Sequence, residues 1–197
     1  MALGRFRVGG VCGRAARAIR HDVLSRGPST DLEVEGLALR RARAADACAI
    51  QHVLSTDPAT WELLEGTSLL PDAAAHLLRE RPPGVPPERK HVYVADDVCV
   101  IDLVTGFPDE PTWYLGLLFL APAARGQGLG TRVLDAIAAH VRAHQGHALR
   151  LAVVVENVRA RRLYERCGFA LVGRRARETA RGVQQVDVLE LAIALRS

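Results

Sequence analysis

The sequence predicts a single α/β domain, because strand-like and helix-like segments alternate along it with short connections. A chain of 197 residues, 49% of them hydrophobic, can bury one sizeable core and still form a ligand crevice. No apolar stretch approaches the roughly 18 to 20 residues that cross a bilayer, so we expect no membrane association. We assign residues 31–197 to this domain and residues 1–30 to a separate N-terminal extension.

The first half of the domain predicts a strand, two helices and a hairpin. Alternating residues give a short strand at Leu37–Arg40, and helical spacing of apolar residues gives a helix from Ala44 to Leu54. Pro71 favours the start of a second helix that ends at Leu78 or Arg81. The proline-rich segment 81–88 predicts a surface connection. Two strands joined at Asp96-Asp97 follow, at Val92–Ala95 and Val98–Val104.

The second half predicts a strand–loop–helix unit, a second strand and helix, and a final pair of strands. Thr112–Leu120 is a strand stopped by Pro122, and the helix after it carries apolar residues at helical spacing from Gly130 to Val141. The apolar run Leu149–Val155 predicts a strand buried on both faces of a parallel pair. The chain then closes with a predicted antiparallel pair, Leu171–Ala176 and Val183–Ala194.

A glycine-rich turn separates the strand Thr112–Leu120 from its helix, with the sequence Arg125-Gly126-Gln127-Gly128-Leu129-Gly130. Such a turn presents unpaired backbone N–H groups at the positive end of a helix dipole, which suits a pyrophosphate. The spacing differs from the G-x-G-x-x-G of a dinucleotide fold, and no P-loop Gly-Lys-Ser/Thr follows. A glycine-rich turn without a ligand explains this motif alone equally well.

A second motif follows the next strand. Asn157 stands where a helix N-cap belongs, and Ala160, Leu163, Tyr164 and Cys167 then recur at helical spacing until Gly168 ends the helix. Tyr164 therefore points inward. Taken singly, Asn157 is more often only a cap, and Tyr164 only a core aromatic.

Together the two motifs resemble the signatures of the GNAT superfamily of N-acetyltransferases. The first, Arg125-x-x-Gly128-x-Gly130, is similar to the R/Q-x-x-G-x-G/A signature, and the segment from Asn157 to Phe169 is similar to the second motif on the CoA side. The resemblance covers roughly residues 36 to 197 and gives almost no information about the acceptor. It implies a mixed, mostly antiparallel central sheet flanked by helices, with splayed parallel strands that form an acyl-CoA crevice.

The resemblance also implies a set of site residues for acetyl-CoA. Leu118 and Leu120 would offer backbone groups to the pantetheine, and the amide of Leu118 would polarise the thioester carbonyl. The pyrophosphate would be bound by the glycine-rich loop, and Asn157 and Tyr164 would complete the site. Tyr164 would protonate the leaving thiolate. The loop residues are Arg125, Gly126, Gln127, Gly128, Leu129, Gly130 and Thr131.

The sequence does not identify the base that deprotonates the acceptor amine. Several relatives place a carboxylate at about the position of Tyr114, where this chain has an aromatic residue. Asp102, Glu156 or a water chain could substitute, or the amine could arrive neutral. The tyrosine at position 114 also keeps a second hypothesis open, a non-catalytic acyl-CoA-binding or regulatory module.

Two segments are expected to wall the acceptor pocket, and a small-molecule amine is favoured over a protein amine. They are the helical region from Trp61 to Arg81 and the loop 178–182 between the last strands. Trp61 and Trp113 are candidates for lining this pocket. Glu62 and Glu65 could attract a cationic amine or simply be solvated.

Charge and cysteine content limit the remaining possibilities. Residues 1–30 contain six arginines and one acid, whereas the rest holds 20 basic and 21 acidic residues, so the domain shows no basic face for a nucleic acid. Cys48, Cys99 and Cys167 fall in predicted helices and strands and have no metal-site spacing, which indicates reduced core thiols and no metal. We expect a monomer or a homodimer.

The extension 1–30 is arginine-rich and acid-poor. It resembles an organellar transit peptide in composition but is poor in serine. A start codon upstream of the true one, or a disordered tail, explains it as well. We favour a mostly disordered extension of a cytoplasmic enzyme.

Overall fold

A computed structural model describes residues 32–194. The extension 1–30, with its predicted disorder and possible targeting role, lies outside these residues. The described part forms one seven-stranded sheet in the order β1-β2-β3-β4-β5-β7-β6. All neighbouring strands are antiparallel except β4 and β5, which confirms the predicted mixed, mostly antiparallel α/β fold. The strands are β1 Arg40–Arg41, β2 Lys90–Ala95, β3 Cys99–Thr105, β4 Thr112–Leu120, β5 Ala148–Val154, β6 Ala170–Thr179 and β7 Gly182–Ala192.

Helices cover both faces of the sheet and define two apolar cores. On one face α4 and α5 pack with Leu134, Ile137 and Leu151 in the core. On the other face α1, α2 and α3 pack around Leu54 and Phe119. The helices are α1 Ala47–Ser55, α2 Pro58–Glu65, α3 Ala73–Arg79, α4 Leu129–Ala143 and α5 Val158–Arg166. In residues 32–194 no helix is long and apolar enough to cross a membrane.

Helix α2 is not one of the helices predicted individually from the sequence, and it lies partly in the region 61–81 that was expected to be helical. Asp57 caps it by accepting a hydrogen bond from the Thr60 amide, Pro58 occupies its first turn, and Gly66 ends it with φ 67°. These are ordinary start and stop signals. The sequence contains these signals, but the helix between them is only eight residues long, so its apolar pattern is short.

Two local predictions are wrong, and a third is confirmed only in part. The first strand lies at Arg40–Arg41 rather than Leu37–Arg40, since Leu37 makes only an isolated bridge to Val34. Strand β5 pairs in parallel with β4 as predicted, but it pairs antiparallel with β7. It is not buried on both faces, because Arg150 is partly exposed and forms an ion pair with Glu190. Cys48 is exposed on α1, so it is not a core thiol.

Candidate active site

The parallel pairing of β4 and β5 ends halfway along both strands. It joins Thr112–Leu115 to Ala148–Leu151 and then stops. Beyond that point β4 stays with β3 as far as Leu120, and β5 stays with β7 as far as Val154. The two strands therefore separate and open a crevice of about 360 Å³. Its walls include Leu118, Leu120, the glycine-rich loop, Asn157 and Tyr164.

Gly116 forms a β-bulge at the point where the strands separate. Leu115 lies opposite Leu103 and Leu117 opposite Asp102, so Gly116 is an extra residue in β4. A Cβ atom on Gly116 would lie 2.7 Å from Oδ2 of Asp102, which requires glycine here. Because the bulge shifts the alternation by one residue, Leu118 packs with the same core as Leu115.

The backbone of Leu118 faces the crevice. The Ala121 amide donates to the Val98 carbonyl at 2.8 Å, and hydrogen-bonded pairs alternate with non-bonded pairs along an antiparallel ladder. Counting back along the register, Phe119 and Leu117 bond to β3, whereas Leu118 and Leu120 turn their amides and carbonyls away from it. The Leu120 carbonyl accepts a hydrogen bond from Nε of Arg125 at 2.9 Å, which leaves the Leu118 carbonyl and the two amides on the crevice side of β4.

The glycine-rich loop leads directly into α4, with Gly128 as its N-cap. Gly126 and Gly128 have φ of 79° and 75°, a conformation that side-chain-bearing residues rarely adopt. The first hydrogen bond of α4 runs from the Arg132 amide to the Gly128 carbonyl. The amides before Arg132 therefore have no hydrogen-bond partner within the helix. Their exposed ends suit an anion at the positive end of the helix dipole.

The structure adds a packing role for Gly130 and places the side chain of Gln127. Gly130 has no positive φ, and a Cβ there would lie 2.9 Å from Cδ2 of Leu163, so this glycine allows α4 and α5 to pack closely. The Gln127 side chain donates to the Ala123 carbonyl and does not line the crevice, so only its backbone is available.

Arg125 connects the glycine-rich loop to the start of helix α2. Its Nη1 lies 2.6 Å from Oδ2 of Asp57, the N-cap of α2, and its guanidinium lies 5.9 Å from the ring centre of Phe119. Burial alone would raise the pKa of Asp57, but hydrogen bonds from Thr60 and Arg125 outweigh it and hold that pKa below its ordinary value. Asp57 is therefore ionised and Arg125 is firmly held.

Asn157 and Tyr164 lie on the opposite wall. The Asn157 side chain accepts a hydrogen bond from the Ala160 amide at 3.2 Å, which confirms the predicted cap of α5. Tyr164 is buried, with its ring 5.6 Å from that of Phe169. Burial raises the pKa of Tyr164 far above its usual value, so the phenol stays protonated across the physiological range.

A second, smaller cavity of about 80 Å³ lies on the α2–α3 side of β4. It shares the wall residues Gly116 and Leu117 with the crevice, so the two spaces lie next to each other at the bulge. Its apolar walls include Trp61 and Leu77. Its charged walls are Glu65, Glu80, Lys90, Asp102 and Arg177.

The residues expected to wall an acceptor pocket lie in different parts of the structure. Trp61 lines the second cavity, but Trp113 lies on the other face of the sheet, where its ring is 5.6 Å from that of His140. Glu65 lines the cavity, and burial raises its pKa. Glu62 instead forms an ion pair at 2.9 Å with Arg181, in the turn between β6 and β7. That turn therefore packs against α2.

The candidate bases are now separated by their positions. Glu156 is exposed and lines neither space. Tyr114 is buried, with its ring 5.4 Å from that of Phe107, and burial raises its pKa to about 12. Asp102 is buried beside Gly116 and lines the second cavity.

In the described part of the chain, no group of three or more His, Cys, Asp or Glu side chains is arranged to hold a metal ion.

Comparison with known proteins gives a family match over much of the chain. The model of the acetyltransferase (GNAT) family matches residues 56–169. This range includes α2, the bulge, the glycine-rich loop and α5, which together build the crevice.

Three solved structures with similar folds share 14 to 18% sequence identity with this chain, and so support the fold alone. A GNAT-family protein from Chromobacterium violaceum has a TM-score of 0.69 at 14% identity, covering 92% of this chain and 97% of its own. Spermidine N-acetyltransferase from Vibrio cholerae, solved with CoA and spermine, has a TM-score of 0.61 at 18% identity over 80% and 95%. The ribosomal-protein-S18-alanine N-acetyltransferase from Escherichia coli has a TM-score of 0.59 at 18% identity over 81% and 95%.

Proposed function

The chain belongs to the acetyltransferase (GNAT) family, and from that premise we propose that it transfers the acetyl group of acetyl-CoA to a primary amine. The amine attacks directly, in a ternary complex. One observation carries the proposal: the crevice and the second cavity adjoin each other, with Gly116 and Leu117 in the walls of both. A thioester in the first space and an amine in the second would face each other at that junction.

In this proposal the backbone provides most of the contacts to acetyl-CoA. The amides of residues 126–131 hold the pyrophosphate at the start of α4. The amides of Leu118 and Leu120 bond to the pantetheine, in place of the strand contacts that end at Leu115. Arg125 braces the loop through Asp57, and Asn157 fixes the start of α5.

The chemistry needs an electrophile, a developing oxyanion and a leaving thiolate. The Leu118 amide donates to the carbonyl oxygen of the thioester, and this bond strengthens as negative charge develops on that oxygen. Tyr164 lies on the opposite wall of the crevice with its proton retained, and it protonates the CoA sulfur.

The second cavity supports a small acceptor over a protein acceptor. Its volume of about 80 Å³ suits an amine head with a short apolar stem against Trp61 and Leu77. Glu65 and Glu80 on its wall favour a cationic ammonium group. The fold alone does not distinguish a small acceptor from a protein acceptor, since a spermidine and a ribosomal-protein acetyltransferase both share it.

The test is thiol release from acetyl-CoA with a panel of amines. The panel contains ethanolamine, 2-phenylethylamine, spermidine, lysine and a short peptide with a free N-terminus. We expect amine-dependent release with at least one small amine, accompanied by an equal amount of acetylated product. Binding of acetyl-CoA without transfer to any amine would favour a non-catalytic acyl-CoA-binding module. Transfer to the peptide alone would contradict the small-molecule assignment.

A further inference from the structure

Lys90 and Asp102 form a buried ion pair at the edge of the second cavity. The distance from Nζ to Oδ2 is 2.7 Å, and the two side chains are 4% and 6% exposed. Oδ1 of Asp102 is buried and accepts no hydrogen bond from any described residue. One oxygen of this carboxylate is therefore held in place, and the other is unengaged.

The position of Asp102 connects this pair to the acetyl-transfer site. Asp102 lies opposite Leu117 in the β3–β4 ladder, beside the bulge at Gly116. The bulge lets the backbone of β4 pass over the carboxylate, since any side chain on residue 116 would collide with Oδ2. Gly116 and Leu117 line both spaces, and Asp102 lines the second one.

We propose that Asp102 is the general base that deprotonates the acceptor ammonium, and that Lys90 is a positioning residue that holds it. The inference rests on the proposed function and names a residue on β3, whereas β4 presents Tyr114 near the place where several relatives have a carboxylate. Burial raises the pKa of Asp102 despite the opposing effect of Lys90, which makes the carboxylate a better proton acceptor.

The proton and electron balance is complete with the groups at the site. The Asp102 carboxylate takes one proton from the ammonium, and the freed lone pair on nitrogen forms the C–N bond to the acetyl carbon. The carbonyl electrons move to oxygen and then return, which breaks the C–S bond and leaves its electrons on sulfur. The sulfur takes the proton of Tyr164, and the tyrosine is reprotonated by the second proton lost from nitrogen. Asp102 then releases its proton to solvent.

Two other carboxylates near the cavity fit this role less well. Glu65 lies on α2 and Glu80 follows α3, whereas Asp102 is the carboxylate in direct register with the β4 residues shared by the two spaces. The remaining titratable or charged groups around the cavity are His76, Lys90 and Arg177. None of these three is a carboxylate, and His76 Nε2 is paired with Asp72 at 2.8 Å.

The test compares the pH dependence of kcat/KM for the wild type and Asp102→Asn, with the most active amine of the panel. We expect the variant to lose about 10²-fold near pH 7. Its kcat/KM should then rise tenfold per pH unit towards the pKa of the amine, because only the free amine can react. The wild type should level off at lower pH. A uniform loss with an unchanged profile would assign Asp102 a structural role and overturn the proposal.

Further variants separate catalysis from folding. Asp102→Asn leaves a buried Lys90 without its partner, so a Lys90→Met/Asp102→Asn double variant is the alternative if the single variant does not fold. The double variant should show the same steep profile. Lys90→Met alone should shift the acidic limb of the profile to higher pH, because losing the cation raises the pKa of Asp102. An unshifted limb would remove Lys90 from the mechanism.

Acetyl-CoA binding and a second carboxylate provide the controls. All of these variants should keep the wild-type affinity for acetyl-CoA, since neither residue lines the crevice. Glu156→Gln should keep the wild-type pH profile, and a shift there would assign the base to Glu156 instead. If the wild-type protein acetylates no amine of the panel, the proposed function and this inference both fail. If it does and Asp102→Asn retains the wild-type profile, only this inference fails.

Discussion

Nη1 of Arg125 lies 2.6 Å from Oδ2 of Asp57, and this ion pair joins the glycine-rich loop to helix α2. The side chains are 21% and 16% exposed, so the pair is better shielded than an ordinary surface ion pair. Nε of Arg125 also donates to the Leu120 carbonyl at the end of β4. One guanidinium thus fixes the glycine-rich loop, strand β4 and helix α2 relative to one another.

Asp57→Asn should weaken acetyl-CoA binding, because the loop loses its brace while its glycines are unchanged. We expect Kd to rise by roughly 5- to 10-fold, which corresponds to about 1 kcal/mol, measured by calorimetric titration. Glu62→Gln is the matched control on the same helix, since it breaks the more exposed pair with Arg181. Equal effects of the two substitutions would show that Arg125 needs no partner at Asp57.

Tyr164→Phe should separate proton donation from packing. The substitution keeps the buried ring beside Phe169 and removes the hydroxyl, so turnover should fall by about 10²-fold or more. Affinity for acetyl-CoA should be largely retained, and the free energy of unfolding should change by about 1 kcal/mol or less. Tyr93→Phe is the control, because Tyr93 is a fully buried tyrosine of the same core that does not line the crevice. Wild-type turnover in Tyr164→Phe would leave proton donation to water.

The two motifs beside the crevice show which local features could be predicted from the sequence. The spacing of Arg125, Gly128 and Gly130 predicted the turn and the start of α4, and Asn157 predicted the cap of α5, because these signals are local. The bulge at Gly116 was invisible in the apolar run from Leu115 to Leu120. It becomes evident only from the register with β3.

The charged part of the site also depends on tertiary contacts. Lys90 and Asp102 are twelve residues apart in the sequence, and their meeting depends on the β2–β3 hairpin register. The sequence offered Asp102 as one of the possible bases, but it gave no indication that Lys90 would pair with it. The same limit explains why Trp61 and Trp113 could not be distinguished, since they lie on opposite faces of the sheet.

His91 should make the protein less stable in acid. Burial, reinforced by the positive charges of Arg41, His140, His144 and Lys90, lowers the pKa of His91 to about 3. In the unfolded chain the imidazole takes up a proton below pH ~6.5, whereas in the folded chain it does so only near the lowered pKa. The free energy of unfolding should therefore fall as pH drops from about 6.5 towards 3, by up to about 1.4 kcal/mol per pH unit from this group.

Urea unfolding at several pH values measures this dependence. His91→Leu should flatten the curve between about pH 6 and 4, because the titrating ring is gone. His147→Gln removes an exposed imidazole and should leave the curve unchanged. A His91→Leu curve as steep as that of the wild type would place the acid sensitivity in other groups.

The crevice as the site of acetyl-CoA binding is tested most directly by titrating acetyl-CoA into the wild type, Gly128→Asp and Gly84→Asp. Gly128 and Gly84 both have positive φ, 75° and 81°, and a Cβ on either meets no atom within 4 Å, so the two substitutions impose similar backbone strain. Only Gly128→Asp places a negative charge at the start of α4, where the pyrophosphate would lie. We predict one-to-one binding by the wild type and Gly84→Asp, and at least a 100-fold weaker affinity, about 2.7 kcal/mol, for a folded Gly128→Asp. Wild-type affinity in Gly128→Asp, or no binding by the wild type, would contradict the account.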